Sequence, residues 1–296
     1  MSTNTVALLS ATGLLGKQLA KTLVSLASAG KIKQVVILHR PTSDLSDIPD
    51  SVERRILDIE STTPEQVASA LEGIDVLISA AAKVPFDAQE RFNKSLAAVT
   101  TLKAFIPSEF AVNWTAEEAA DKLNVVVHST FALNAQLRSL GVPLAVVHNG
   151  LFEPFLFFTP FTGLDAANNT LAFYGDALHR PIPVTSPQYL AHAIGELVST
   201  YPVHELAGKQ WTVIEYETTG QQIVDALAAV HGKPPTITSI TDADIEAQRA
   251  LGPAAVIGAA AKVKWGAGVF SKDDQFVPAG VAAGNLEQTV AAAFKA

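Results

Sequence analysis

The stretch that most constrains this chain is residues 6–20, where an apolar run meets a turn of small residues. Residues 6–9 predict a buried parallel strand. A turn from Ser10 to Gly16 follows, and a helix is predicted from Leu14 towards Ala29. Strand, glycine turn and helix in this order direct backbone N–H groups and the positive helix end at a pyrophosphate. The stretch therefore predicts a dinucleotide-binding turn, and the alternative is an ordinary turn between a strand and a helix.

The spacing of the turn is G-x-x-G-x-x-G, with Ser10 in place of the first glycine. Gly13 lets the backbone approach a phosphate, Gly16 lets the helix pack against its strand, and Thr12 is expected to contact the cofactor. If position 10 requires a positive φ, serine costs on the order of 1 kcal/mol there. Its Cβ and hydroxyl would also crowd the pyrophosphate, so we expect weakened affinity for the cofactor.

The rest of the first half alternates predicted strands with predicted helices. The strands are expected at residues 33–39, 55–59, 75–79, 104–107 and 144–148, and the helices at 63–71, 86–98 and 123–140. This alternation indicates an α/β fold with a Rossmann-type, doubly wound parallel sheet. Further on, we predict strands at 171–176 and 210–214 and helices from 185, at 219–231 and at 286–295, whereas 252–283 is ambiguous. Residues 1–150 are expected to bind the dinucleotide and 151–296 to form a smaller, interleaved substrate-binding portion.

Composition excludes several classes of protein. Zero cysteines in 296 residues exclude disulfides and thiolate metal sites. A net charge of −8 without a basic cluster argues against nucleic acid, and no apolar run reaches the length of a membrane span. We find no metal-ligand spacing and no secretory leader, and expect a cytoplasmic protein without a metal. Whether it is a monomer or a homodimer is left open.

The end of the second predicted strand indicates which dinucleotide is bound. An acid at this point holds the ribose 2′-hydroxyl of NAD, but here Arg40 occupies the place, followed by Thr42 and Ser43. A guanidinium with neighbouring hydroxyls suits a 2′-phosphate, which favours NADP(H). The alternative is a surface arginine without a partner. Asp58 and Ile59 are expected at the adenine edge, and the small residues after the fourth strand let the chain pass beside the cofactor.

A cluster of aromatic residues begins after the sixth predicted strand. Five phenylalanines with Pro154 and Pro160 occupy ten residues: Phe152, Phe155, Phe157, Phe158 and Phe161. They predict an apolar wall, either of a substrate pocket or of an inter-domain core. We take Asn149, Phe152 and Phe155 as candidate substrate contacts.

The hexapeptide from Phe105 to Phe110, taken with the glycine turn, resembles the NmrA-like branch of the atypical short-chain dehydrogenases, which includes the isoflavone reductase-like proteins. Further matches in the same order are His39–Arg40, Gly141–Pro143, Asn149–Phe152 and Pro181–Ser186, over about the first two thirds of the chain. The resemblance implies NADP(H) lying across the C-terminal strand ends. Carried over by position, Gly13, Leu14, Leu15 and Gly16 face the pyrophosphate, Arg40 the 2′-phosphate, Ala80 and Ala81 the middle of the cofactor, and Phe110 the nicotinamide.

The chain departs from these reductases at the lysine that serves them as acid/base or ribose contact. The corresponding position is Thr130, and no lysine occurs between Lys122 and Lys209. His128 is the nearest substitute as proton donor, and a structural hydrogen bond is the alternative for this histidine. Glu109, in the hexapeptide, is expected to have a structural role.

Three functions are consistent with these residues. The first is an NADPH-dependent reductase of an apolar or aromatic small molecule with an altered proton donor. The second is a non-catalytic regulator that senses the dinucleotide, which the missing lysine favours. The third is a non-redox isomerase or cyclase on the same fold, with cofactor binding lost at Ser10.

Overall fold

The computed structural model describes residues 4–121, 124–157 and 159–293. The chain divides into two compact units. Unit 1 comprises the chain up to Phe110 together with Ser129–Val147 and Leu190–Trp211, and unit 2 comprises Ala111–His128, His148–Tyr189 and the chain from Thr212. The assignment of dinucleotide binding to residues 1–150 and substrate binding to 151–296 stays a prediction.

Strands and helices alternate through the first half of the chain, as predicted. The strands are β1 (Thr5–Leu9), β2 (Gln34–His39), β3 (Glu53–Ile56), β4 (Val76–Ser79), β5 (Ala104–Ile106), β6 (Val146–Asn149), β7 (Leu151–Phe152), β8 (Leu164–Asp165), β9 (Thr170–Tyr174), β10 (Pro181–Thr185), β11 (Gln210–Val213), β12 (Tyr216–Thr219) and β13 (Thr236–Ile240). The helices are α1 (Leu14–Ser28), α2 (Pro64–Ala70), α3 (Phe86–Leu96), α4 (Ala116–Ala120), α5 (Val125–Ser139), α6 (Glu153–Phe157), α7 (Pro187–Thr200), α8 (Val203–Leu206), α9 (Gly220–His231), α10 (Asp242–Arg249), α11 (Pro253–Ala267) and α12 (Leu286–Ala293).

Unit 1 is built on a parallel sheet with the strand order β3-β2-β1-β4-β5. The order reverses at β1, so the carboxyl ends of β1 and β4 flank the point where such sheets bind ligands. A parallel bridge between Phe105 and Leu144 joins the segment leading into β6 to β5. The α/β fold class with a parallel central sheet is therefore confirmed.

The third strand differs from the prediction. It spans Glu53–Ile56 rather than 55–59, so the predicted end of this strand was wrong. The Leu57 N–H still donates to the His39 carbonyl oxygen at 2.9 Å, but the chain then turns. The Asp58 side chain accepts from the Glu60 N–H at 3.1 Å, a local bond that competes with continuation of the strand.

Unit 2 contains two small sheets, β12-β10-β7 and β13-β9-β8. Its core surrounds Trp265, whose ring meets Phe173 edge to face at 5.6 Å between centroids. The sequence left residues 252–283 ambiguous, and α11 lies there. β13 and α10, which precede α11, were not predicted. The final helix is confirmed as far as Ala293, and residues 294 and 295 of that prediction lie outside the described residues. The helix predicted at 123–140 corresponds to α5, and its first residue, 123, also lies outside the described residues.

We predict that Gly16→Ala destabilises the protein by about 2 kcal/mol or more, because a Cβ at this position would lie 2.0 Å from the Ser10 carbonyl oxygen. Denaturant unfolding measures the effect. Gly13→Ser is the matched control, since a Cβ at Gly13 meets nothing within 4 Å and serine caps a helix well. Equal losses for both variants would contradict the close packing of α1 on β1.

Candidate functional site

The N-terminus of α1 offers unpaired backbone donors. Gly13 is the N-cap and has no side chain to cap the helix, and the first bond of the helix runs from the Lys17 N–H to the Gly13 carbonyl at 3.0 Å. The N–H groups of Leu14, Leu15 and Gly16 precede this bond, so helix geometry leaves them without an intrahelical partner. The first turn carries no acidic side chain that would compete for them. Open space at Gly13 and three free donors fit a pyrophosphate.

Ser10 has the positive φ on which the expected cost of a serine at this position depends. Its φ is +70°, in the left-handed region that favours glycine. Its N–H donates to the Leu38 carbonyl oxygen at 3.2 Å, which ties the turn to β2. Serine therefore carries conformational strain at the position where the glycine pattern has its first glycine.

A cleft at the carboxyl ends of β1 and β2, here called the strand-end cleft, brings several predicted residues together. It is lined by Leu9, Ser10, Thr12, Leu38, His39, Arg40, Ser43, Leu57, Asp58, Ile59, Glu60, Ala81, Ala82 and Val84. Arg40 thus lies in the same cleft as Ser10, and as Asp58 and Ile59, which were expected at the adenine edge. The arrangement matches a site for an adenosine whose ribose faces Arg40.

The other predicted cofactor residues are not among those that line this cleft. Leu14 is 53% exposed, whereas the Leu15 side chain is buried in the core and only its backbone remains for a ligand. Thr42 is exposed, and Phe110 is half-buried after β5. The Ala80 N–H donates to the Leu9 carbonyl at 2.9 Å, so this residue extends the pairing of β4 with β1.

For Glu109 the sequence predicted only a structural role, and the structure shows the surroundings of its carboxyl group. Glu109 follows β5, and the Asn134 side-chain amide of α5 donates to its Oε2. Burial raises the pKa of Glu109 to about 7, against the opposing effects of the Asn134 hydrogen bond and the Arg138 charge. An acid directly after a buried strand was the available signal, because such positions lie at the carboxyl edge of the sheet.

The two predicted catalytic positions both lie on α5. The Nδ1 of His128 is 3.0 Å from the Ala119 carbonyl oxygen, a contact that requires the proton on Nδ1. In the neutral ring Nε2 then carries no proton, so His128 donates from Nε2 only as an imidazolium. Thr130 belongs to unit 1 and His128 to unit 2.

Unit 2 joins two of the motifs that carried the resemblance. Leu151 and Phe152 of β7 pair in parallel with Val184 and Thr185 of β10. Asn149 is 2% exposed, and its Oδ1 has no hydrogen-bond partner among the described residues. An unpaired buried amide oxygen costs free energy, and Asn149 stays a predicted substrate contact.

The aromatic cluster has two kinds of member. Phe152 meets Phe155 at 6.2 Å between ring centroids, and Phe155 meets Phe161 at 6.0 Å. Phe155 is 43% exposed, whereas Phe157 belongs to the core of unit 2. The predicted Phe158 lies outside the described residues. The sequence pattern thus combines core packing with an accessible aromatic face.

A buried lysine is present in unit 2, but it is paired. The side chain of Lys264 is 1% exposed, and its Nζ donates to both carboxylate oxygens of Glu118 at 3.0 and 2.8 Å. The Nζ also lies 5.1 Å from the centroid of the Trp114 ring. Lys264 is therefore held in an ion pair within unit 2.

Two kinds of site are not found in the described part of the chain. No group of three or more His, Cys, Asp or Glu side chains there could hold a metal ion. None of its helices combines the length and the apolar character needed to cross a membrane.

Comparison with known proteins supports the binding of a dinucleotide. Residues 10–123 match the protein-family model described as NAD(P)H-binding. Curated protein sequences include no match to this chain. The match bears out NAD(P)H as the cofactor, whereas the expected bounds of the dinucleotide-binding portion stay a prediction.

The fold is that of known reductases. Leucoanthocyanidin reductase from Vitis vinifera, solved with NADPH, is 15% identical, with a TM-score of 0.77 over 99% of this chain and 100% of that chain. The triphenylmethane reductase of Citrobacter sp., solved with NADP(H), is 21% identical, with a TM-score of 0.72 over 98% of this chain and 100% of that chain. An isoflavone reductase is 16% identical, with a TM-score of 0.72 over 93% of both chains. The resemblance to the isoflavone reductase-like proteins is thereby confirmed in fold.

We predict that Ser10→Gly binds NADPH several-fold more tightly than the wild type, because it removes the Cβ and hydroxyl that crowd the pyrophosphate. Fluorescence titration measures the affinity. Asp274→Gly is the control, since Asp274 also has a positive φ, of 52°, but lies in unit 2. Unchanged affinity in Ser10→Gly would show that the serine side chain points away from the cofactor.

Proposed function

We propose that this protein is an NADPH-dependent reductase of an apolar or aromatic small molecule. The observation that carries the proposal is the strand-end cleft, in which Arg40 lies with Ser10 and with the residues of the adenine edge. The cleft ends at the turn where α1 presents its unpaired N–H groups. A dinucleotide supplies a hydride, so the protein needs to position it and to provide a proton donor.

Arg40 supports NADP(H) over NAD(H). A planar guanidinium binds a phosphate through two parallel hydrogen bonds, whereas a ribose hydroxyl is usually held by a carboxylate. Asp58 also lines the cleft, but its carboxylate accepts the Glu60 N–H. Arg40 brings a positive charge to the cleft, and the proposed preference for NADP(H) follows from that charge.

The accessible aromatic face of unit 2 and the unpaired amide oxygen of Asn149 support an aromatic substrate that carries a hydroxyl or another donor group. Phe152 and Phe155 would contact its rings, and the Asn149 oxygen would accept its hydrogen bond. Triphenylmethane reductase is named for a substrate class of several aromatic rings. Of the acid/base positions that the sequence offers, the contact of His128 Nδ1 with the Ala119 carbonyl favours the structural alternative for this histidine, and a threonine at position 130 is a poor proton donor. A cytoplasmic location remains a prediction of the sequence.

The test is a titration of NADPH fluorescence, followed by measurement of its oxidation with 4-phenylbut-3-en-2-one, aromatic ketones and malachite green. We expect binding and substrate-dependent oxidation. Binding without oxidation across the panel would favour the regulator, which the threonine at position 130 supports. Fluorescence that does not change on adding protein would contradict both and favour the non-redox enzyme.

We predict that Arg40→Ala weakens NADPH binding by about 10- to 100-fold, the effect of losing charge-assisted hydrogen bonds, and weakens NADH binding far less. Titration with both dinucleotides measures the difference. Arg91→Ala is the control, because Arg91 lies on α3 in an exposed pair with Asp87. Equal losses for NADPH and NADH would place Arg40 away from the 2′-phosphate.

A further inference from the structure

The proposed reduction needs a proton donor, and the residues of unit 1 offer one that is not a lysine. β4 and β5 are parallel neighbours, with Ile78 opposite Ile106. The chain therefore leaves both strands at the same edge of the sheet, through Ala80–Ala81 on one side and Pro107–Glu109 on the other. Ala81 lines the strand-end cleft, so Glu109 follows the strand next to the cofactor's expected path.

The second element that faces Glu109 is α5. Asn134, which donates to the Glu109 carboxyl group, follows Thr130 by four residues. Residues four apart lie on one face of a helix, one above the other. The Glu109 carboxyl group thus meets the face of α5 on which the reductases place their lysine.

From this arrangement we infer that Glu109 is the proton donor of the reaction, a role that rests on the proposed reductase function. NADPH supplies the hydride to the substrate carbon. The O–H bond of the Glu109 carboxyl breaks, and its proton goes to the substrate atom that gains the electron pair. Solvent then returns a proton to the carboxylate, so each turnover consumes one NADPH and one proton.

The surroundings of Glu109 determine its pH dependence. Burial disfavours the carboxylate, and the groups opposing this are the Asn134 amide and the Arg138 guanidinium, both on α5. The pKa of about 7 means that the acid form is present below neutral pH and is lost as the pH rises. The rate of reduction should therefore fall as the pH rises through about 7, which gives the pH profile an alkaline limb. Removing the Asn134 hydrogen bond should raise the pKa of Glu109 and move this limb to higher pH.

Two substrates separate proton donation from hydride transfer. Reduction of 4-phenylbut-3-en-2-one needs a hydride and a proton, whereas the malachite green cation needs only a hydride. We expect Glu109→Gln to lower the ratio of enone to dye rates by about 100-fold or more, the usual contribution of a general acid. The exposed Glu72→Gln should leave the ratio unchanged.

Three further measurements test the assignment. Asn134→Ala, which retains Glu109, should move the alkaline limb of enone reduction upward, an effect that a purely structural glutamate would not produce. Infrared titration of the protein without cofactor should show a protonated carboxyl band that disappears near pH 7 and is missing in Glu109→Gln. His128→Ala should leave the enone-to-dye ratio unchanged.

Several outcomes would overturn the inference. An unchanged ratio in Glu109→Gln, a carboxyl ionised throughout the titration, or a ratio that falls only in His128→Ala would each exclude Glu109 while the reductase function stands. Wild-type protein that reduces the dye but not the enone would likewise exclude Glu109 as the proton donor while the reductase function stands. No NADPH oxidation with either compound would overturn the proposed function, and the role of Glu109 with it.

Discussion

The contact on which the rest of unit 1 depends is the approach of α1 to the end of β1. No Cβ fits between Gly16 and the Ser10 carbonyl oxygen, so the helix begins directly above the strand. This closeness directs the unpaired N–H groups of the first turn along the carboxyl edge of the sheet. Because β1 lies at the point where the strand order reverses, the strand-end cleft opens beside that turn.

Three groups at positions that the motifs associate with a ligand are unfavourable for stability. Ser10 has a positive φ, and Glu109 is an acid in surroundings that disfavour its charge. In unit 2 the Asn149 oxygen is buried without a partner among the described residues. Each of these is unfavourable for stability by itself, and each lies at a position that the motifs associate with a ligand. Similar costs occur elsewhere among the described residues, for example the positive φ of Asp274 and the unpartnered buried oxygen of Asn124, so it is the coincidence with the motifs that supports a role in binding.

Local patterns in the sequence were sufficient for β1, α1 and the order of the strands, because turn chemistry and burial over neighbouring residues determine them. The end of β3 was not predictable in this way, since a side-chain bond at Asp58 ends it. The alanine-rich α11 gives no clear helical stripe, because it packs on several sides around Trp265 and the close contact of Gly266 with Tyr174. The environment of Glu109 depends on Asn134, far along the chain, and on desolvation, which no local pattern encodes.

The residue at position 130 bears on the acidity of Glu109. A lysine at position 130 would bring a positive charge to the face of α5 that holds Asn134, and a nearby positive charge favours the carboxylate. With Thr130 in that place, only the Asn134 amide and the Arg138 charge oppose the effect of burial, and burial prevails. Burial keeps the pKa of Glu109 at about 7, so part of the carboxyl group is protonated at neutral pH. In the proposed reductase, this acid at the carboxyl edge of β5 supplies the proton.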